Sequence, residues 1–80
     1  MTRDEVVAII RNNVVEQLDD VEHEDLEFAD SFREFGANSL DMLEVVTASM
    51  RELSIRVPRA ELAEIETIEG LADKFMQHVE

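Results

Sequence analysis

The side chain best placed to do chemistry is the hydroxyl of Ser39, in the run Gly36-Ala37-Asn38-Ser39-Leu40-Asp41. Asn38 is a favourable helix N-cap, because its side-chain oxygen can accept from N–H groups of the first turn. Ser39 is then the first helical residue, and its hydroxyl is free to point outward. It stands beside unsatisfied backbone N–H groups and the positive end of the helix dipole. Such a position suits an attached phosphate. A serine at a helix start is ordinarily no more than a cap, so spacing alone leaves a covalent role and a structural one both open.

Rival chemistries fit less well. The glycines around Ser39 do not make a Gly-x-Ser-x-Gly elbow and no strand precedes it, which argues against a serine hydrolase. Gly36 and Gly70 are the only glycines, so a glycine-rich phosphate loop is excluded. His23 and His78 have no second ligand at helical spacing, and both are expected at the surface rather than in a zinc site or as a catalytic base. Asp19, Asp20, Glu22, Glu24, Asp25 and Glu27 lack the ligand order and central glycine of a calcium loop, and no specific metal site is expected. Without cysteine there is no disulfide, thiolate ligand or cysteine nucleophile.

Twenty acidic residues against seven Lys and Arg give a net charge of −13, which argues against nucleic acid and anionic membranes as partners. It favours basic protein surfaces, with association that slows as salt rises. Eighty residues make a single domain, 1–80, too small for a deep catalytic cavity. No apolar run could span a bilayer, and the N-terminus does not read as a secretory signal, so a cytoplasmic location is expected.

The elements that must position Ser39 are helices. Thr2 to Leu18 forms the first, with Val6, Ile9, Ile10, Val14 and Leu18 on one face and a Thr2/Glu5 capping box at its start. Asp19 to Asn38 is a long connection, so it must carry short structure or a function. Leu26, Phe28, Phe32 and Phe35 are its expected pegs into the core, and Gly36 lets the chain turn into the second helix. After that helix, Ser54 to Val57 reads as an extended link, Pro58 opens a short helix over Arg59 to Glu64 anchored by Leu62, and Ile65 pins the turn that follows. Thr67 caps a last helix, Ile68 to about Val79, with Ile68, Leu71, Ala72, Phe75 and Val79 on its buried face.

The second helix, Asn38 to Leu53, is apolar around more than half its circumference, wider than one core contact needs. Met42, Val45, Val46, Ser49 and Leu53 belong to the core side. Leu40, Leu43, Thr47 and Met50 drift toward the face that carries Asp41, Glu44 and Arg51. That pattern fits either a helix packed on two neighbours or an apolar patch rimmed by charge, as in a transient docking surface.

Phe35-Gly36-Ala37-Asn38-Ser39-Leu40-Asp41 resembles the attachment motif of acyl carrier proteins, usually Leu-Gly-x-Asp-Ser-Leu-Asp at the start of the second helix. Asp30-Ser31-Phe32, Leu43-Glu44-Val45-Val46, Ile55-x-Val57-Pro58 and Ile65-Glu66-Thr67-Ile68 also fall where that family has similar residues, so the likeness covers nearly the whole chain. It implies an all-α fold, a small four-helix bundle of acyl carrier type with three main helices, one short one and a long loop between the first and second. It further implies 4'-phosphopantetheine joined to Ser39 through a phosphodiester, with acyl groups held on the cofactor's thiol as thioesters.

By the same resemblance the chain is a substrate of a phosphopantetheinyl transferase and not an enzyme. Its further partners would be an acyltransferase, a ketosynthase and other polyketide or fatty-acid enzymes, which it would meet as a monomer. Asn38, Leu40, Asp41, Leu43, Glu44, Thr47, Met50 and Arg51 match the family's partner-recognition positions. Two departures stand out: Asn38 replaces the usual aspartate, and Met50 and Arg51 stand where fatty-acid carriers commonly have acids. The Gly-Ala-Asn-Ser-Leu-Asp core looks more like discrete carriers of polyketide pathways. Two alternatives remain: a peptidyl or aminoacyl carrier, although Ala37 and Asn38 depart from the Gly-Gly-x-Ser-Leu of those proteins, or an unmodified acidic helical adaptor.

Overall fold

Thr2 starts the first helix, α1 (Arg3–Gln17), by accepting the Glu5 N–H on its hydroxyl at 3.2 Å. The computed structural model describes residues 2–18, 21–27, 31, 39–63 and 65–79, with the backbone alone for Glu27 and Ser39. Val6, Ile10 and Val14 of α1 are fully buried, as the apolar stripe predicts, whereas Ile9 is half-buried at its edge. A polar residue that periodicity did not place there, Asn13, is buried on the same face.

The acids after α1 take part in turn formation. The Glu22 N–H donates to Asp25 Oδ2 at 2.9 Å, and a 3-10 turn over Asp25–Glu27 drives Leu26 into the core. Ser31 makes an isolated antiparallel bridge with Thr67, which ties the connection to the residue that opens the last helix. Asp19, Asp20, Phe28, Phe32, Phe35, Gly36 and Asn38 lie outside the described residues, so the three phenylalanine pegs and the Asn38 cap do too.

The second helix, α2, spans Ser39–Leu53 and ends more tightly than the extended link expected from its sequence. Ser54 takes a left-handed conformation with φ 56°, its N–H donates to Arg51 O, and the Ile55 N–H donates to Met50 O. These are the paired bonds of a Schellman ending, which satisfies carbonyls the helix would otherwise leave open. Pro58 then leads into α3 (Arg59–Leu62), one turn long and shorter than the expected Arg59–Glu64.

The last helix, α4 (Ile68–Met76), is capped by Thr67, whose hydroxyl accepts the Gly70 N–H at 2.9 Å. Ile68, Leu71, Ala72 and Phe75 are buried, as the pattern requires. Val79 lies past the helix end and is half-buried, its N–H bonded to Phe75 O.

α1 is the central helix, packing against both α2 and α4. Burial of the joint apolar core, which runs from Val6 to Phe75, supplies the driving force. Arg3 adds a polar clasp between α1 and α4. Its guanidinium pairs with Glu69 and, at 2.9 Å, with Asp73, and those hydrogen bonds, Glu69's first, hold it more firmly protonated than an ordinary arginine. Three longer helices and one short one make the expected all-α bundle, with no named strand among the described residues. Among those residues, no helix is long and apolar enough to cross a membrane.

Candidate functional site

α2 starts at Ser39, so the backbone places that residue in the first turn, where N–H groups lack intrahelical partners. The next residue, Leu40, is 72% exposed, and Leu43, one turn on, is 38% exposed. Such exposure of large apolar side chains beside a helix start needs a reason. Both line an open groove of about 550 Å³ between α2 and the chain that returns after it.

One wall of the groove is Leu40, Met42, Leu43, Val46 and Met50 of α2. The other is Val57, Arg59, Leu62, Ala63 and Ile65. This groove explains why α2 is apolar over so much of its circumference. Val45, Ser49 and Leu53 face the core, Leu40, Met42, Leu43 and Met50 face the groove, and Val46 is buried where the two meet. Met42, which the sequence assigned to the core, does pack against it, and being half-buried it also lines the groove, because its position on α2 falls between the two contact faces. Met50 is likewise half-buried, and its sulfur accepts the Val57 N–H at 3.3 Å, which joins the two walls.

The expected recognition residues therefore divide. Leu40, Leu43 and Met50 come together along the groove, whereas Glu44, Thr47 and Arg51 are exposed on α2. Asp41 is half-buried and engaged in a polar contact. Asn38 falls outside the described residues.

Sequence reasoning missed the second wall. Leu62 reads from the sequence as the anchor of the short helix, Ile65 as the pin of the turn after it, and Arg59 only as a helix start. The α2 pattern signalled a second apolar contact, but nothing local said which later segment would supply it. His78, expected as a plain surface residue, instead reaches across to α3. Its Nε2 lies 3.5 Å from Glu61 Oε1, which also meets Lys74 Nζ at 3.5 Å, so α4 holds the short helix that forms the groove's far wall.

Residues 8–75 match the family model described as the phosphopantetheine attachment site. The chain belongs to the acyl carrier protein family. It is 33% identical over 79 residues to the acyl carrier protein of Cyanidioschyzon merolae (strain NIES-3377 / 10D), covering 98% of this chain and 86% of that one. It is 29% identical over 80 residues to the polyketide biosynthesis acyl-carrier-protein AcpK of Bacillus subtilis (strain 168), covering 100% and 98% of the two chains. Among solved structures it is similar to the carrier in the crystal structure of the Curacin biosynthetic pathway HMG synthase in complex with acetyl donor-ACP. That likeness has a TM-score of 0.73 and 31% identity, over 94% of this chain and 96% of the other.

The group that acyl carrier proteins hold is covalent 4'-phosphopantetheine, and the start of α2 fits it. A phosphodiester placed there would meet unsatisfied N–H groups and the positive end of a fifteen-residue helix. Leu40 and Leu43 continue from that point as an apolar wall. The arm supplies the thiol, which the cysteine-free chain lacks.

Proposed function

We propose that Ser39 is the attachment residue and that this carrier presents acyl intermediates as thioesters to enzymes of polyketide biosynthesis. The observation that carries the reading is the coincidence of the α2 start at Ser39 with the exposed Leu40 and Leu43 beside it. A phosphopantetheinyl transferase would supply coenzyme A, magnesium and a base. The Ser39 oxygen attacks the phosphorus next to pantetheine, a P–O bond forms, 3',5'-ADP leaves, and the base takes the serine proton. Catalysis then lies with the partners, while the chain binds, orients and releases the load.

An acyltransferase and a ketosynthase are the partners this role requires. The solved relative's HMG synthase makes an enzyme of that kind the first to try. The full-length match to a polyketide carrier favours that pathway class over fatty-acid synthesis. We place the chain, as one domain and a monomer, in the cytoplasm. Asn38, Leu40, Asp41, Leu43, Glu44, Thr47, Met50 and Arg51 form the surface that partners read. Weak, fast docking suits serial transfer.

Intact mass after incubation with coenzyme A and a broad-specificity transferase tests this. Wild type should gain one phosphopantetheine and Ser39→Ala none. Modification of Ser39→Ala, or no gain on wild type while a known carrier is modified, would overturn it.

A further inference from the structure

We propose that Arg59 gives this groove a preference for acyl loads that end in a carboxylate, a reading that rests on Ser39 as the attachment point. Every other described residue of the groove is apolar, and Arg59 is exposed at its wall. Among the described residues it has no hydrogen-bond or ion-pair partner. In a chain with 20 acidic and seven basic residues, an arginine that no described carboxylate pairs with is notable, because acids are the abundant species.

Its surroundings make the same point. From Arg51 to Arg59 the chain carries three arginines and a single acid, Glu52. That acid is already engaged on the α1 side, accepting from Asn13 Nδ2 at 3.3 Å. Arg51, Arg56 and Arg59 are all exposed. The return from α2 into α3 is thus locally positive on a chain of charge −13, and a negative load is repelled less here than over the rest of the acidic surface.

The placement suits a tethered load. Met50 lies eleven residues beyond Ser39 on the same helix, about 16 Å along its axis. The Val57 N–H reaches Met50 Sδ at 3.3 Å, and Arg59 follows within two residues of that contact. A load that enters the groove from the Ser39 end runs along Leu40 and Leu43 toward this contact. An uncharged end gains only apolar burial there. A carboxylate could not enter without a partner, since desolvating an unpaired charge is costly. A guanidinium offers it a planar, two-pronged set of donors. Attachment to the same chain raises the local concentration to the millimolar range, which makes even a weak surface pair populated.

The test loads the protein with malonyl- or acetoacetyl-phosphopantetheine from the corresponding coenzyme A thioesters. The two acyl groups match in heavy-atom number and differ in carboxylate against methyl ketone. Intact mass first establishes loading. Nitrogen-15 spectra of wild type and Arg59→Gln are then compared at low and high salt. The Arg59 Nε–H signal and the Val57 amide should shift more with malonyl than with acetoacetyl, and the difference should shrink about threefold or more between 0.05 M and 0.5 M salt. Arg59→Gln should erase the malonyl-specific shift of Val57 and leave the acetoacetyl spectrum unchanged. Equal shifts for the two loads, or a malonyl-specific shift that survives Arg59→Gln, overturns the proposal alone. No mass gain on wild type overturns the attachment reading and this inference with it.

Discussion

Asn13 Nδ2 lies 3.1 Å from Ser49 Oγ in the seam between α1 and α2, with both residues buried. The same amide reaches Ile9 O at 2.9 Å and Glu52 Oε1 at 3.3 Å, so two hydrogens are shared among three acceptors. Apolar side chains slide past one another at little cost, but this contact is satisfied in one register only. It fixes α2, and with it the helix start at Ser39, against α1.

Asn13→Ala is therefore expected to cost about 1–3 kcal/mol, because it strands buried polar partners. Urea denaturation should show a lower midpoint at unchanged m. A double-mutant cycle with Ser49→Ala should give a coupling of at least about 0.5 kcal/mol. Strict additivity would mean that the two side chains do not interact.

Ser54 occupies a left-handed backbone position that costs a residue with a Cβ about 1–2 kcal/mol. Glycine removes that penalty and gives back part of the gain through the entropy of the unfolded chain. Ser54→Gly is expected to stabilise by about 0.5–1 kcal/mol, since glycine is the favoured residue of a Schellman ending. For a domain of this length about 1 kcal/mol corresponds to 4–8 °C in Tm, within reach of a thermal melt. A lower Tm would contradict the left-handed ending.

Phe75 is the largest fully buried side chain of the described residues. Its truncation to alanine should cost about 3–5 kcal/mol, a large share of the roughly 4–12 kcal/mol expected for 80 residues. Circular dichroism should show a Tm lower by about 12 °C or more. A smaller drop would mean that the site collapses around the missing ring.

The sequence carried what is local. The α1 stripe of Val6, Ile10 and Val14, the Thr2 and Thr67 caps, and the Ile68/Leu71/Phe75 face each follow from residue spacing, and each is found. The breadth of the apolar surface on α2 also pointed to a second contact. Long-range pairings were not legible. Asn13 reads as an ordinary surface residue until Ser49, 36 positions later, is brought against it. Arg59 reads as a helix start until the return of the chain sets it in the groove wall. The ending at Ser54 was missed because serine is an uncommon choice for a left-handed position. For the site itself, the motif around Ser39 located the helix start, and the groove beside it needed the packing of α2 against a segment that has little periodicity of its own.

Leu40 and Leu43 give the last prediction, which separates docking from folding. Leu40 is 72% exposed and Leu43 38%, so neither owes much of its place to the core. Leu40→Ser should therefore change stability by no more than about 0.5 kcal/mol, as for other surface substitutions. The same change removes apolar area from the Ser39 end of the surface proposed for partners, with Glu44, Thr47 and Arg51 exposed further along α2. Loss of a buried anchor of this kind costs more than about 1 kcal/mol of binding, roughly fivefold or more in Kd. Glu44→Gln should act differently, slowing association with a basic partner surface chiefly at low salt. Titration of the phosphopantetheine-bearing protein against an HMG-synthase-type enzyme, by calorimetry and stopped flow, distinguishes the two effects. If Leu40→Ser binds as tightly as wild type, α2 is not the face that partners read, and the exposed leucines serve the tethered load alone.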